Sequence, residues 1–198
     1  MLVAGVIDLF GAGVTLSAML VLHVVRTGLS PVRNAVSQYG ISYVRVGYRV
    51  LTLAMAAAGA AGAVGVGEGL HAAGGAVVAA LAVFAATRAA ISWVPMDDPS
   101  TPATRTGRRD GLLAVLTFLA LAVAALRLGS DLRRTHEWIG AQAWTIPLDA
   151  FLVLGLVAMV ITRRAPGLRG YFGAAERLYY LGVLAWLSWL GVALIANR

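Results

Sequence analysis

The chain contains neither cysteine nor lysine in its 198 residues. Without cysteine there is no structural disulfide, thiolate nucleophile or thiolate metal site. Without lysine there is no Schiff base of the retinal type and no Walker-type phosphate loop. Charge is scarce as well: 13% of residues are charged, and nine acids face sixteen bases. Apolar residues make up 60% of the chain and the mean hydropathy is +0.81, whereas roughly half of an average soluble domain is apolar. Lipid is therefore the solvent for most of this chain.

Membrane-enzyme signatures with fixed spacing are absent too. Asp97-Asp98 is followed by Thr101 rather than the further aspartate of a magnesium-diphosphate motif. Asp110-Gly111 opens like an alcohol phosphotransferase motif, but Val115 replaces its arginine and no aspartate pair follows. No serine lies in a G-x-S-x-G elbow. His136-Glu137 starts like H-E-x-x-H, but Gly140 stands where the second ligand belongs, and His23 lies at the far end of its span from His71 and His136. No metal and no cofactor are expected.

Six apolar stretches are long enough to cross about 30 Å of hydrocarbon, which takes about 20 helical residues. They run over 2–25, 46–66, 70–94, 111–128, 143–162 and 177–196. The first lacks a basic leader and a small-residue cleavage motif and carries Asp8, so it reads as a retained helix rather than a signal peptide. The expectation is an all-α membrane protein, a single six-helix transmembrane bundle over 1–198. Small residues from Ala54 to Gly67 suit the second span to close helix packing, and the short link to the third predicts a tight hairpin.

Twelve of the sixteen arginines fall in or beside connections one, three and five: Arg26, Arg33, Arg45, Arg49; Arg88, Arg105, Arg108, Arg109; Arg163, Arg164, Arg169, Arg177. The positive-inside rule makes these connections cytoplasmic and both termini extracytoplasmic, in a multi-pass protein of the cell membrane. Arginine-only basicity with abundant alanine and glycine fits a GC-rich bacterial genome. The +7 charge and isoelectric point near 10.8 then serve anionic headgroups rather than nucleic acid. The expected partners are membrane lipids or a hydrophobic small molecule, with self-association an open alternative.

The arginine pattern separates two polar groups. On the outer side, Asp8 and Asp149 lie about 9 Å into their spans at about 1.5 Å per residue. Pro147 removes a backbone donor beside Asp149 and Gln142. Glu68, His71 and Trp144 belong to the same side. Acids at that depth are paired, hydrated or protonated, so Asp8 and Asp149 are candidate general acid/base residues; the alternative is two acids at wetted helix ends paired with Arg133 or Arg134. On the cytoplasmic side, Arg33, Ser37, Tyr39, Arg88 and Asp97 could hold a phosphate or lipid headgroup, or could act as helix caps and lipid anchors. Arg88 would snorkel to headgroups or pair with Asp97.

Ser37-x-Tyr39-Gly40, Pro95-x-Asp97 and Thr106-Gly107, with the span count and loop order, resemble the prokaryotic membrane family called domain of unknown function 998. The resemblance covers most of the chain and implies a six-span membrane protein with no assigned activity. In that family the threonine-glycine pair often leads to a histidine, where this chain has Arg108, Arg109 and Asp110. The layout is also similar to the eukaryotic Frag1, DRAM and Sfk1 group of membrane-organising proteins.

Three functions fit these residues: a bundle that binds or organises a lipid-like ligand; an embedded enzyme acting on a lipid or isoprenoid through Asp8 or Asp149, with Trp144, Phe151, Trp186 and Trp189 shielding a cation; and a small proton-coupled exporter. The topology has a direct test: a tag fused after Arg198 should react with impermeant reagent from outside intact cells, and labelling only from the cytoplasm would reverse the orientation.

Overall fold

A computed structural model describes residues 1–70, 74–98, 101–135 and 138–197. Among them are six helices long and apolar enough to cross a membrane, and no strand. They are α1 (Leu2–Val24), α2 (Arg45–Gly69), α3 (Gly74–Ile91), α4 (Arg105–Thr135), α5 (Ile139–Arg164) and α6 (Phe172–Ala196). Short 3-10 turns, Val36–Ile41 and Pro166–Tyr171, precede α2 and α6. Each helix packs against its chain neighbours, α6 closes the ring on α1, and α6 also touches α2. Cross-contacts fix the directions: Arg49 meets Ser92, Arg133 meets Thr145, and Arg177 meets His23. Both termini therefore lie at one end, and the first, third and fifth connections lie at the other, arginine-rich end.

In lipid, helices associate through close packing rather than through water exclusion. The small residues supply it. A Cβ on Gly5 would stand 2.6 Å from the Gly191 carbonyl oxygen, so the α1 and α6 backbones nearly touch. Leu190 and Leu194 of α6 fill the notches left by Gly62 and Gly65 of α2. Such knobs give α2 and α6 the largest buried share of the six spans. Phe10, Leu20 and Leu112 remain exposed, as a lipid-facing surface requires.

Helix ends depart from the hydropathy boundaries. α4 runs from Arg105 to Thr135, well beyond 111–128, because hydropathy registers only the lipid-embedded part of a helix that continues through polar residues. α3 stops at Ile91 rather than 94: the Ser92 and Trp93 amides bond three residues back to Ala89 and Ala90. That tightening of the last turn precedes Pro95, which disfavours helix in the residue before it. α6 starts at Phe172, five residues before the apolar stretch, led in by the turn from Pro166. Ser37 lies inside a 3-10 turn rather than at a helix cap.

Substitution at two glycines should have opposite effects. Gly5→Ala forces backbones apart and should cost about 1–3 kcal/mol. Gly13→Ala, with nothing within 4 Å of its Cβ, should gain some of the roughly 1 kcal/mol of helix propensity. Thermal unfolding in detergent measures both.

Candidate functional site

At the termini end the two acids are both buried. Asp8 is fully buried, and neither carboxylate oxygen has a hydrogen-bond partner among the described residues. A Cβ on Gly62 would lie 3.6 Å from Asp8 Oδ2, and 2.9 and 3.7 Å from Leu190 and Leu81. Asp149 is buried on α5 beside Gly129, with Arg133 and the Trp186 side chain as polar neighbours. Arg133 also donates to Thr145 Oγ1, at 2.8 Å. Gln142 donates to the Leu132 carbonyl, at 2.9 Å. Glu68 is exposed and bonds the Met1 amine. Trp144 lines a cleft of about 510 Å³ between α5 and α6 that also includes Trp189. His71, His136 and Glu137 lie outside the described residues. Among the described residues, no group of three histidines and acids is placed to hold a metal ion.

The arginine-rich end is more polar inside. Connection one folds back onto the start of α6: the Ala174 amide donates to the Val32 carbonyl, and Glu176 accepts from the Val36 amide at 2.7 Å. Gly173 permits the approach, since a Cβ there would lie 2.7 Å from the Pro31 oxygen. Arg177 then ties three segments together. It donates to the Asn34 carbonyl at 2.9 Å, to His23 Nε2 at 2.6 Å and to Tyr39 Oη at 3.4 Å. Because arginine only donates, His23 Nε2 must accept, leaving Nδ1 to donate to the Met19 carbonyl. Tyr39 is thus a buried part of the loop anchor, while Arg33 is exposed.

Arg88 neither reaches out to headgroups nor pairs with Asp97. It is buried, bonds the Tyr180 hydroxyl, and donates to Met55 Sδ at 3.1 Å. Burial among α2, α3 and α6 satisfies the guanidinium within the bundle, where Asp110 and Glu176 are its carboxylate neighbours. Asp97 has its own partner. It accepts from the Thr104 amide at 2.7 Å and from the Thr104 hydroxyl at 2.6 Å, and these bonds hold its carboxyl below the ordinary value of 3.8. Thr104 Oγ1 in turn accepts from the Gly107 amide at 3.1 Å, which caps α4. A Cβ on Gly107 would collide with the Asp97 carboxylate. The Pro95-x-Asp97 and Thr106-Gly107 pattern therefore forms a staple between the third connection and α4.

Beneath that staple is a cavity of about 240 Å³. Ser37, Gly40, Arg45, Tyr48 and Arg49 line one side; Ile91 to Met96 line the other; Asp110 lies among them. Gly40 sits against the Tyr48 ring, where a Cβ would approach to 2.8 Å. Arg49 donates to the Ser92 carbonyl at 3.2 Å, and its guanidinium lies 4.6 Å from the Trp93 ring centre. The Arg45 side chain is exposed and forms no hydrogen bond or ion pair among the described residues. Sequence reasoning singled out Ser37 and the neighbouring motif but did not place Tyr48, Asp110, Glu176 or Tyr180 beside it. One trace of this cluster is in the sequence: Asp110 and Glu176 each stand one residue before an apolar stretch, at the edge of the hydrocarbon, where an acid needs a partner.

The staple makes a pH-dependent contribution. A carboxyl held below its ordinary value stabilises the fold above that value, and the contribution is lost as pH falls through the folded-state value. Asp97→Asn should lower the melting temperature at neutral pH, and the difference from the parent should shrink as pH falls below 3.8. Gly107→Ala should have a similar effect, and the double variant should melt no lower than the worse single variant, since both break one interaction.

No curated protein and no solved structure matches the chain. Ser37, Gly40 and Pro95 of the sequence motifs line the cavity, and Asp97 with Gly107 forms the staple. The family model described as protein of unknown function (DUF998) matches residues 9–193, and the chain belongs to that family.

Proposed function

We propose that this chain is a binding protein of the cell membrane, whose ligand is an amphipathic, lipid-like molecule inserting its polar head into the cavity at the arginine-rich end. The observation that carries this reading is the composition of the cavity wall: Arg45 and Arg49 beside Ser37, Tyr48 and Ser92, with Ile91 and Trp93 among the apolar wall residues. Guanidinium groups match phosphate and carboxylate geometry with paired hydrogen bonds. At about 240 Å³ the space is smaller than the roughly 300–1,000 Å³ that engulfs a drug-sized ligand. It accommodates a headgroup, while the tails stay in the bilayer. On the positive-inside rule that head comes from the cytoplasmic leaflet.

A second reading, an embedded enzyme on a lipid or isoprenoid, draws support from Asp149 beside Trp186, whose ring lies 5.9 Å from that of Trp189 on the α5–α6 cleft. Its acid would work at the opposite end of the bundle from the cavity.

Native mass spectrometry after detergent exchange separates these readings. The first expects one retained lipid-like molecule per chain, weakened by Arg45→Glu, a substitution at an exposed side chain with no structural partner. Retention unchanged by Arg45→Glu but abolished by Asp149→Asn would favour the second. No retained amphiphile would overturn the first.

A further inference from the structure

Asp110 gives the cavity a second electrostatic character. It is 7% exposed, and among the described residues its side chain forms no hydrogen bond or ion pair, yet it lines the same cavity as Arg45 and Arg49. Its charged surroundings come from every side. Arg88 faces it from α3, Glu176 from α6 and Asp97 from the connection, with the Tyr48 phenol on α2 nearby. The single buried cation among these is already bonded to Tyr180 and Met55. Glu176 is held by the Val36 amide and lies next to Arg177. Asp97 is held by Thr104 through both carboxylate oxygens. Asp110 is thus an acid without a partner of its own, in a wall whose opposite members are guanidinium groups.

A carboxylate removed from water needs a cation or strong donors, and the cavity is where a partner can enter. We infer that the headgroup is zwitterionic, a phosphate carrying an ammonium group a few atoms away, with the phosphate on Arg45 and Arg49 and the ammonium on Asp110. The inference rests on the headgroup-binding reading above and specifies its chemistry. Phosphoethanolamine is the simplest group of this kind, either as a lipid head or as a free soluble molecule. A head with phosphate alone leaves Asp110 unpaired and facing an anion. Such repulsion discriminates between heads of similar size.

The test compares short-chain phosphatidylethanolamine, short-chain phosphatidylglycerol and free O-phosphoethanolamine, each titrated onto the detergent-purified full chain and read by thermal shift and native mass spectrometry. The expected result is a preference for phosphatidylethanolamine over phosphatidylglycerol of about tenfold or more, the scale of one charge-assisted hydrogen bond. Asp110→Asn, nearly the same in shape, should erase that preference while retaining phosphatidylglycerol binding. Binding of free O-phosphoethanolamine with the same dependence on Asp110 would assign the site to a soluble zwitterion and support the shared chemistry. Equal binding of the two lipids by the parent protein overturns the inference, even if the variant does not fold, and leaves the headgroup reading standing. A preference that survives Asp110→Asn overturns the role of Asp110. Failure of all three probes to bind overturns both the inference and the headgroup reading.

Discussion

Arg88 is a charge that cannot be discharged by losing a proton, because guanidinium stays protonated throughout the physiological range. Burying it on α3 obliges the surrounding helices to supply partners. Tyr180 of α6 and Met55 of α2 do so directly, while Asp110 of α4 and Glu176 of α6 supply negative charge nearby. Four spans are therefore committed to one register around a single side chain. Hydroxyl pairs extend this join: Thr52 with Ser92 at 2.7 Å, and Thr117 with Thr87 at 2.8 Å. In a bundle where lipid tails compete equally for apolar surfaces, such polar contacts and close backbone approaches are what select one packing.

The arginine-rich end is built outward from that centre. Glu176 holds the Val36 amide, and Arg177 binds the next turn of connection one, so the loop is seated over the helix ends rather than loose in solvent. The Asp97–Thr104 staple fixes the other connection. Between these two fixed loops the cavity keeps its shape, and polar residues remain available to a ligand. The termini end is organised differently. Asp8 lies beside Gly62 without a polar partner among the described residues, whereas Asp149 has Arg133 and Trp186.

Much of this architecture was legible in the chain. Long apolar stretches are a local property, so the six spans could be read directly, and alternate arginine-rich junctions carried the grouping of the loops. Boundaries were less legible where helices ran past the apolar core, as at Arg105 and Thr135 of α4. The loop motifs were visible as spacing, but their physical content was hidden. Only the fold shows that Gly107 leaves room for Asp97, or that Gly40 leaves room for Tyr48.

By itself, the sequence determined the solvent, the number of spans and the end of the bundle at which arginines gather, because hydropathy and charge act over contiguous residues. The tertiary structure decided that Arg88 turns inward, that Asp97 belongs to Thr104, and that Ser37, Tyr48, Trp93 and Asp110 share one cavity. Those pairings join residues on different helices and loops. They depend on how each helix is rotated in the bundle, which is set by the sum of small-residue contacts and buried polar bonds rather than by any one segment.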